Sequence, residues 1–164
     1  MAELADLTSR FACPGTLRWI GIRPARHQRM AELERTEILA TGLAGDHRAR
    51  PGKRAVSLLQ WEHLAVIAAL VGRETVAPST LRRNLVISGI NLLGLRKRRF
   101  WIGTVELQGT GLCAPCSRME AALGPGGYTA MRGHGGITAE VLAPGAITLG
   151  DRVTPWDADP PSFA

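Results

Sequence analysis

The sequence predicts a mainly β chain, an antiparallel β-barrel or sandwich decorated with a few short helices. Three observations carry this reading. Roughly seven to nine short apolar segments are separated by glycine and proline breakers. Only one stretch, Trp61 to Val71, repeats its apolar residues with a firm helical period. Strands and helices do not alternate as they do in parallel-sheet folds, and no internal repeat is visible.

Composition narrows the classes further. At 164 residues the chain has the size of one domain. Twenty Lys and Arg against 14 Asp and Glu give +6 and a sequence pI near 10.2, a positive field that favours anionic partners. The longest apolar run, Leu64 to Gly72, falls short of the roughly 18–20 residues a membrane span needs. The opening MAELADLTSR has no signal-peptide core, so the expected location is cytoplasmic, with no membrane association. Three cysteines in such a chain point to reactive or metal-binding thiols rather than a disulfide framework.

In order along the chain, residues 1–16 read as an N-terminal extension, frayed to about Phe11. Leu17 to Ile22 predicts a first strand stopped by Pro24, and Leu33 to Leu39 a second with imperfect alternation. Thr41 to Pro51 is a polar loop carrying Asp46, His47, Arg48 and Arg50. Ala55 to Leu59 is a short strand. The following helix sets Trp61, Leu64, Ala65, Ala68 and Val71 on one face, with Gly72 as its C-cap and His63 on its surface.

Pro78 to Thr80 starts a helical turn, and Asn84 to Ser88 is a buried strand. Arg82 and Asn84 then stand at that strand's mouth, where a guanidinium fork and an amide hold an anion or a heterocycle. The run Arg96 to Arg99 reads as solvated basic surface, with nucleic acid as the alternative contact, and on the blander reading Arg82 and Arg83 belong to that surface as well. Phe100 to Ile102 and Thr104 to Leu107 flank Gly103 as strands, and Ser117 to Leu123 is a short helix. Ile137 to Leu142 and Ala146 to Leu149 form a last pair, Gly150-Asp151 turns into Val153, and 155–164 is a tail.

Most of the special chemistry falls between Gly109 and Gly136, which hold Cys113, Cys116, His134, two arginines and eight glycines. The thiolate is the form that attacks or binds metal, and nearby cations or a helix start favour it. Arg118 lies two residues beyond Cys116 and a helix opens at Ser117, so Cys116 is the candidate reactive sulfur and Cys113 is secondary. A zinc site needs two more ligands, and His134, His47 and Cys13 have no characteristic spacing to supply them. A thioredoxin-like redox pair needs a βαβ context, which is missing.

The pieces AGDHR (44–48), RAVSLLQWEHL (54–64), LRRNLVISGINL (81–92), IGTVELQGTGLCAPCSRME (102–120), RGHGGITAEVL (132–142) and ITLGDRV (147–153) together resemble the MOSC domain, the module named after the C-terminal domain of molybdenum cofactor sulfurase. The resemblance is to its small stand-alone bacterial members and places the domain at 17–154. It implies a MOSC-like antiparallel β-barrel, with Cys116 matching the cysteine that ligates molybdenum in amidoxime-reducing members. It also implies molybdenum cofactor (molybdopterin) binding by Arg82 and Asn84, with Arg48 and Asp151 as further pocket residues. His134 is a pocket candidate without an assigned role. Two features depart from the longer members: Ala114 replaces a serine, and their extra N-terminal subdomain is missing. The pyridoxal-phosphate domain of the sulfurases is absent from this chain.

The activity this implies is a molybdenum-dependent reductase of N-hydroxylated compounds of the hydroxylaminopurine or amidoxime type. Its partners would be a small-molecule substrate and a separate electron-donor protein, with a homodimer allowed and nucleic acid disfavoured. Two alternatives stay open: a sulfur carrier holding a persulfide on Cys116, and a non-catalytic basic module that binds nucleic acid.

Overall fold

The computed structural model describes residues 2–48 and 50–157. In chain order the elements are α1 (Leu4–Ser9), β1 (Gly15–Ile22), β2 (Ala31–Leu33), β3 (Arg35–Leu39), β4 (Gly42–Leu43), β5 (Val56–Gln60), α2 (His63–Leu70), α3 (Pro78–Leu81) and β6 (Leu85–Ser88). They continue as α4 (Leu92–Leu95), β7 (Arg99–Ile102), β8 (Val105–Leu112), α5 (Ser117–Leu123), α6 (Gly127–Met131), β9 (Ile137–Ala143), β10 (Gly145–Thr148) and β11 (Arg152–Pro155).

Seven strands close into a barrel in the order β11-β7-β8-β9-β5-β6-β1, and the pairing of β1 with β11 seals it. Strand β2 extends from β1 outside the ring, while β10, β3 and β4 form a small second sheet. The expected mainly β barrel with short helices is therefore present. One detail differs: β5 and β6 run parallel, because α2 and α3 make a crossover between them.

Alternation explains the two cores. Leu17, Ile20, Val56, Leu58, Leu85, Ile87, Phe100, Leu107 and Ile137 fill the barrel interior. Trp19, Leu59 and Val86 point the other way and build a second cluster with α2, α3, α5 and α6 through Ile67, Leu81, Met119, Leu123 and Met131. A register shift between Leu17 and Trp19 turns Trp19 outward while keeping Ile20 inside. Each fully buried Leu or Ile of this kind contributes on the order of 1.5–3 kcal/mol.

Several sequence expectations are corrected here. The N-terminal extension holds helix α1, and β1 starts at Gly15 rather than Leu17. The strand expected over Leu33 to Leu39 is broken at Glu34, and its halves join different sheets. Helix α2 buries Leu64, Ile67 and Ala68, while Ala65 is exposed, so its inward face is rotated from the expected one. Strand β8 runs on to Leu112, inside the glycine-rich stretch, and α6 follows within the same stretch. Pro155, the first residue of the tail, ends β11, and Trp156 and Asp157 form a turn; the rest of the tail lies outside the described residues.

The glycines near the cysteines have steric causes. At Gly136, φ is +85° and a Cβ would collide with the Leu58 carbonyl. A Cβ at Gly135 would strike the Cys113 carbonyl in the same way. The chain can thus lay residues 135–136 against both β5 and the cysteine loop.

Candidate functional site

Ser57 and Asn84 lie two residues before Leu59 and Val86, so they share the outer, helix-covered face of the barrel. The Asn84 side-chain oxygen accepts from Ser57 N–H at 3.2 Å, from the Ser57 hydroxyl at 3.2 Å and from Arg23 Nη2 at 3.4 Å. Its amide donates to the Gly21 carbonyl at 3.2 Å and to Asp46 Oδ2 at 2.7 Å. Both amide protons are thus used within the protein. Asn84 ties the mouths of β1, β5 and β6 together rather than offering a free donor.

Asp46, buried despite its place in the polar loop, completes the knot by accepting Arg23 Nη2 at 3.1 Å and Nε at 3.2 Å. Burial alone would raise its carboxyl pKa. The Arg48 N–H, the Arg23 charge and the hydrogen bonds from Arg23 and Asn84 outweigh that and hold it below the usual carboxylate range. A carboxyl depressed in the folded state adds stability above its unfolded pKa of about 3.9 and loses it as pH falls through the folded value. Asp46→Asn should therefore cost about 3 kcal/mol near neutrality by leaving Arg23 buried without its partner. Urea unfolding across pH should also show a flatter acid limb in the variant than in wild type.

Arg82 sits in the left-handed region at φ +58° as the cap of α3. Its Nη1 donates to the Gln28 carbonyl at 2.8 Å, whereas its Nη2 is buried with no partner among the described residues. Burial, then the charges of Arg118 and Arg23, lower its pKa, with Asp46 opposing them. Arg23 Nη1 lies 3.5 Å from the Arg82 carbonyl, and the charges of Arg118 and Arg23 act on a guanidinium with one buried, unsatisfied donor, an arrangement that an anion would relieve. The other non-glycine residue at positive φ among the described residues, His27 at +64°, has its Nδ1 3.5 Å from Arg118 Nη2.

Cys116 is exposed at the N-cap of α5, two residues before Arg118, while Cys113 is buried. Arg83 sets the loop that carries them. It is 6% exposed, and it donates from Nε to the Gly135 carbonyl at 2.9 Å, from Nη1 to Leu81 at 3.0 Å and from Nη2 to Cys113 at 3.2 Å. The Cys113 N–H in turn donates to the Gly136 carbonyl at 2.8 Å. Arg83 is therefore no part of a solvated basic surface, because its charge is enclosed among backbone carbonyls.

A family model for the MOSC domain matches residues 29–154. The chain belongs to the MOSC domain family. This MOSC barrel superposes on YuaD from Bacillus subtilis with a TM-score of 0.77 at 19% identity, covering 88% of this chain and 97% of that one. It is also similar to YiiM from Geobacillus stearothermophilus, with a TM-score of 0.70 at 17% identity over 87% of this chain and 75% of that one. YiiM from Escherichia coli gives 0.67 at 18% identity over 85% and 69%. At these identities the likeness speaks to fold. A search of curated proteins found no significant match.

Not every expected site residue of the MOSC domain reaches the arginine cluster. Arg82 and Asn84 do, and Arg83 links the Cys116 loop to them. Arg48 bonds Asp46 Oδ1 through its backbone N–H at 2.9 Å, and its side chain is exposed. Asp151 accepts the Thr148 N–H at 2.9 Å and takes the Leu17 N–H on its carbonyl. It therefore stands beside the first half of β1, whereas Arg23 follows the strand's other end. His134 packs edge-on against His63, ring centres 4.8 Å apart, with its Nδ1 buried and unpartnered among the described residues. His63, expected on the surface, is half-buried, and burial followed by His134 lowers its pKa against the pull of Glu62. Cys13 is exposed, with its thiol 3.1 Å from the Gly89 carbonyl.

Molybdenum cofactor is a pterin with a phosphate and a dithiolene-bound metal, and the residues present fit such a group. The unsatisfied Arg82 donor, on which the charges of Arg118 and Arg23 act, suits its anionic part, and the exposed soft sulfur of Cys116 suits its metal. No group of three or more His, Cys, Asp or Glu side chains is placed to hold a metal ion among the described residues. A metal that arrives with ligands of its own needs only one protein sulfur. Among the described residues no helix is long and apolar enough to cross a membrane.

Proposed function

We propose that this MOSC domain binds molybdenum cofactor and reduces N-hydroxylated compounds, with Cys116 as the metal ligand. Support comes above all from the buried Nη2 of Arg82, unpartnered among the described residues, in a guanidinium on which the charges of Arg118 and Arg23 act. In this reading Arg82 and Arg118 hold the anionic part of the cofactor, and Asn84 and Asp46 orient Arg23 toward it. Arg83 fixes the loop that presents Cys116. The bound group supplies two-electron redox chemistry at its metal. Reduction of a hydroxylamine to an amine takes two electrons and two protons and releases water, so the electrons must enter from a separate donor.

The test is metal content after purification from a host that makes the cofactor. Wild type should carry molybdenum, and Cys116→Ala should carry less by at least about tenfold. Cys113→Ala should retain it. A metal-free wild type, or equal metal in Cys116→Ala, would sink the proposal. The exposure of Cys116 also suits the sulfur-carrier alternative. Mass spectrometry after incubation with a cysteine desulfurase would then find one added sulfur on Cys116.

A further inference from the structure

We propose that the barrel surface beside the arginine cluster is a docking site for a small acidic redox protein, formed by Arg50, Lys53 and Arg54 together with Arg96, Lys97 and Arg98. The inference rests on the proposed function, since reduction of an N–OH group demands an outside source of electrons.

The two basic segments are far apart in sequence, and β8 brings them side by side. Gly109 N–H donates to the Arg98 carbonyl at 2.8 Å, and the next residue, Thr110, bonds through its hydroxyl to the Lys53 carbonyl. Arg50, Lys53, Arg54, Arg96 and Lys97 are exposed, and Arg98 is half-buried. None of the six makes an ion pair among the described residues. Of the carboxylates on β7, β8 and β9, Glu106 is held by Arg99, which leaves Glu140, opposite Gln108 in register. The field over this face is positive.

The patch is joined to the site. The Thr110 hydroxyl lies 2.8 Å from that of Thr138, Thr138 stands opposite Ser57, and Ser57 bonds Asn84. Lys53, Thr110, Thr138, Ser57 and Asn84 thus form one row across β8, β9, β5 and the mouth of β6. Three strand spacings separate Thr110 from Asn84, roughly 15 Å. Leu112, two residues beyond Thr110 and 61% exposed, adds an apolar contact on the way to the cysteine loop. A basic rim with an apolar residue toward the site is the usual composition of an interface that steers a charged partner.

Nucleic acid fits the patch less well. Neither basic segment contains an aromatic residue on which a base could stack. Trp156, 47% exposed, already has one ring face taken by the Arg99 guanidinium, 4.3 Å from its ring centre, and Phe100 is buried. The adjoining helix α4 has four residues, too short to enter a major groove.

The test is calorimetric titration of the full chain with two acidic carriers, a flavodoxin and a plant-type ferredoxin, at about 0.02 M and about 0.3 M salt. Binding of at least one carrier should weaken by more than about tenfold at the higher salt. It should also weaken by about tenfold at low salt in Lys53→Glu/Lys97→Glu, which keeps its circular dichroism and molybdenum content. Arg54→Glu/Arg96→Glu provides a second variant should the first fail to fold. The proposal is overturned if neither carrier binds, if folded variants bind as wild type does, or if random-sequence DNA binds more tightly than either carrier. A wild type that binds a carrier but holds no molybdenum would remove the proposed activity while leaving the docking surface in place.

Discussion

Replacing Arg83 with methionine should lower the unfolding free energy by about 3–5 kcal/mol and the melting temperature by roughly 8–15 °C. Methionine fills similar space but donates nothing. The carbonyls of Leu81, Cys113 and Gly135, now bonded to one enclosed guanidinium, would lose their partner together. Lysine should rescue only part of the loss, because a point charge on a flexible stem cannot reach carbonyls spread around a planar fork. A second measurement separates this from general weakening of the core. Wild type exposes Cys13 and Cys116 to a thiol reagent and buries Cys113. In Arg83→Met a third thiol should react rapidly under conditions where the barrel remains folded, because the loop around Cys113 is no longer tied to Gly135. If Cys113 stays protected and stability falls by less than about 1 kcal/mol, Arg83 is not what holds the cysteine loop.

Arg82→Gly should have the opposite signature, with bound molybdenum lost by at least about tenfold while stability is unchanged or slightly higher. Glycine adopts φ +58° freely, and relief of that conformation is worth about 1 kcal/mol. Removing a guanidinium crowded by Arg118 and Arg23 also relieves repulsion, offset by loss of the bond to Gln28. Arg82→Lys would keep charge but not the paired donors, so its metal content should fall between the two. Thermal melts alongside metal analysis decide the matter. A variant destabilised by more than about 2 kcal/mol that still carries wild-type metal would show Arg82 to be structural.

The barrel is legible in the sequence because its strands are short, apolar and closed by breakers. Ala55 to Leu59 and Asn84 to Ser88 lie within a residue of β5 and β6. The face of α2 is not legible, since HLAVIAAL is apolar nearly all round and only the second core decides that Ile67 turns inward. Arg82 and Asn84 can be marked from their place before a strand. Arg83 cannot be told from its neighbour in a string of letters, because its burial depends on carbonyls 30 and 52 residues away. Arg23 is hidden for the same reason, its role being set by Asp46 and Asn84 across the fold. Asp46 is visible as a polar loop residue, yet only the structure reveals that it faces inward.

The seam between β1 and β11 gives the order of synthesis a structural meaning. Gly15 lies opposite Val153, so the first barrel strand to be made meets its last neighbour only when nearly all the described chain exists. Contacts this distant in sequence form slowly. In the interval β1 and β7 each lack the partner that β11 will supply, and their edges can pair with another chain instead. The family match begins at residue 29, beyond both β1 and Arg23. A fragment cut to that match would carry Cys116 and Arg82 on an unsealed sheet.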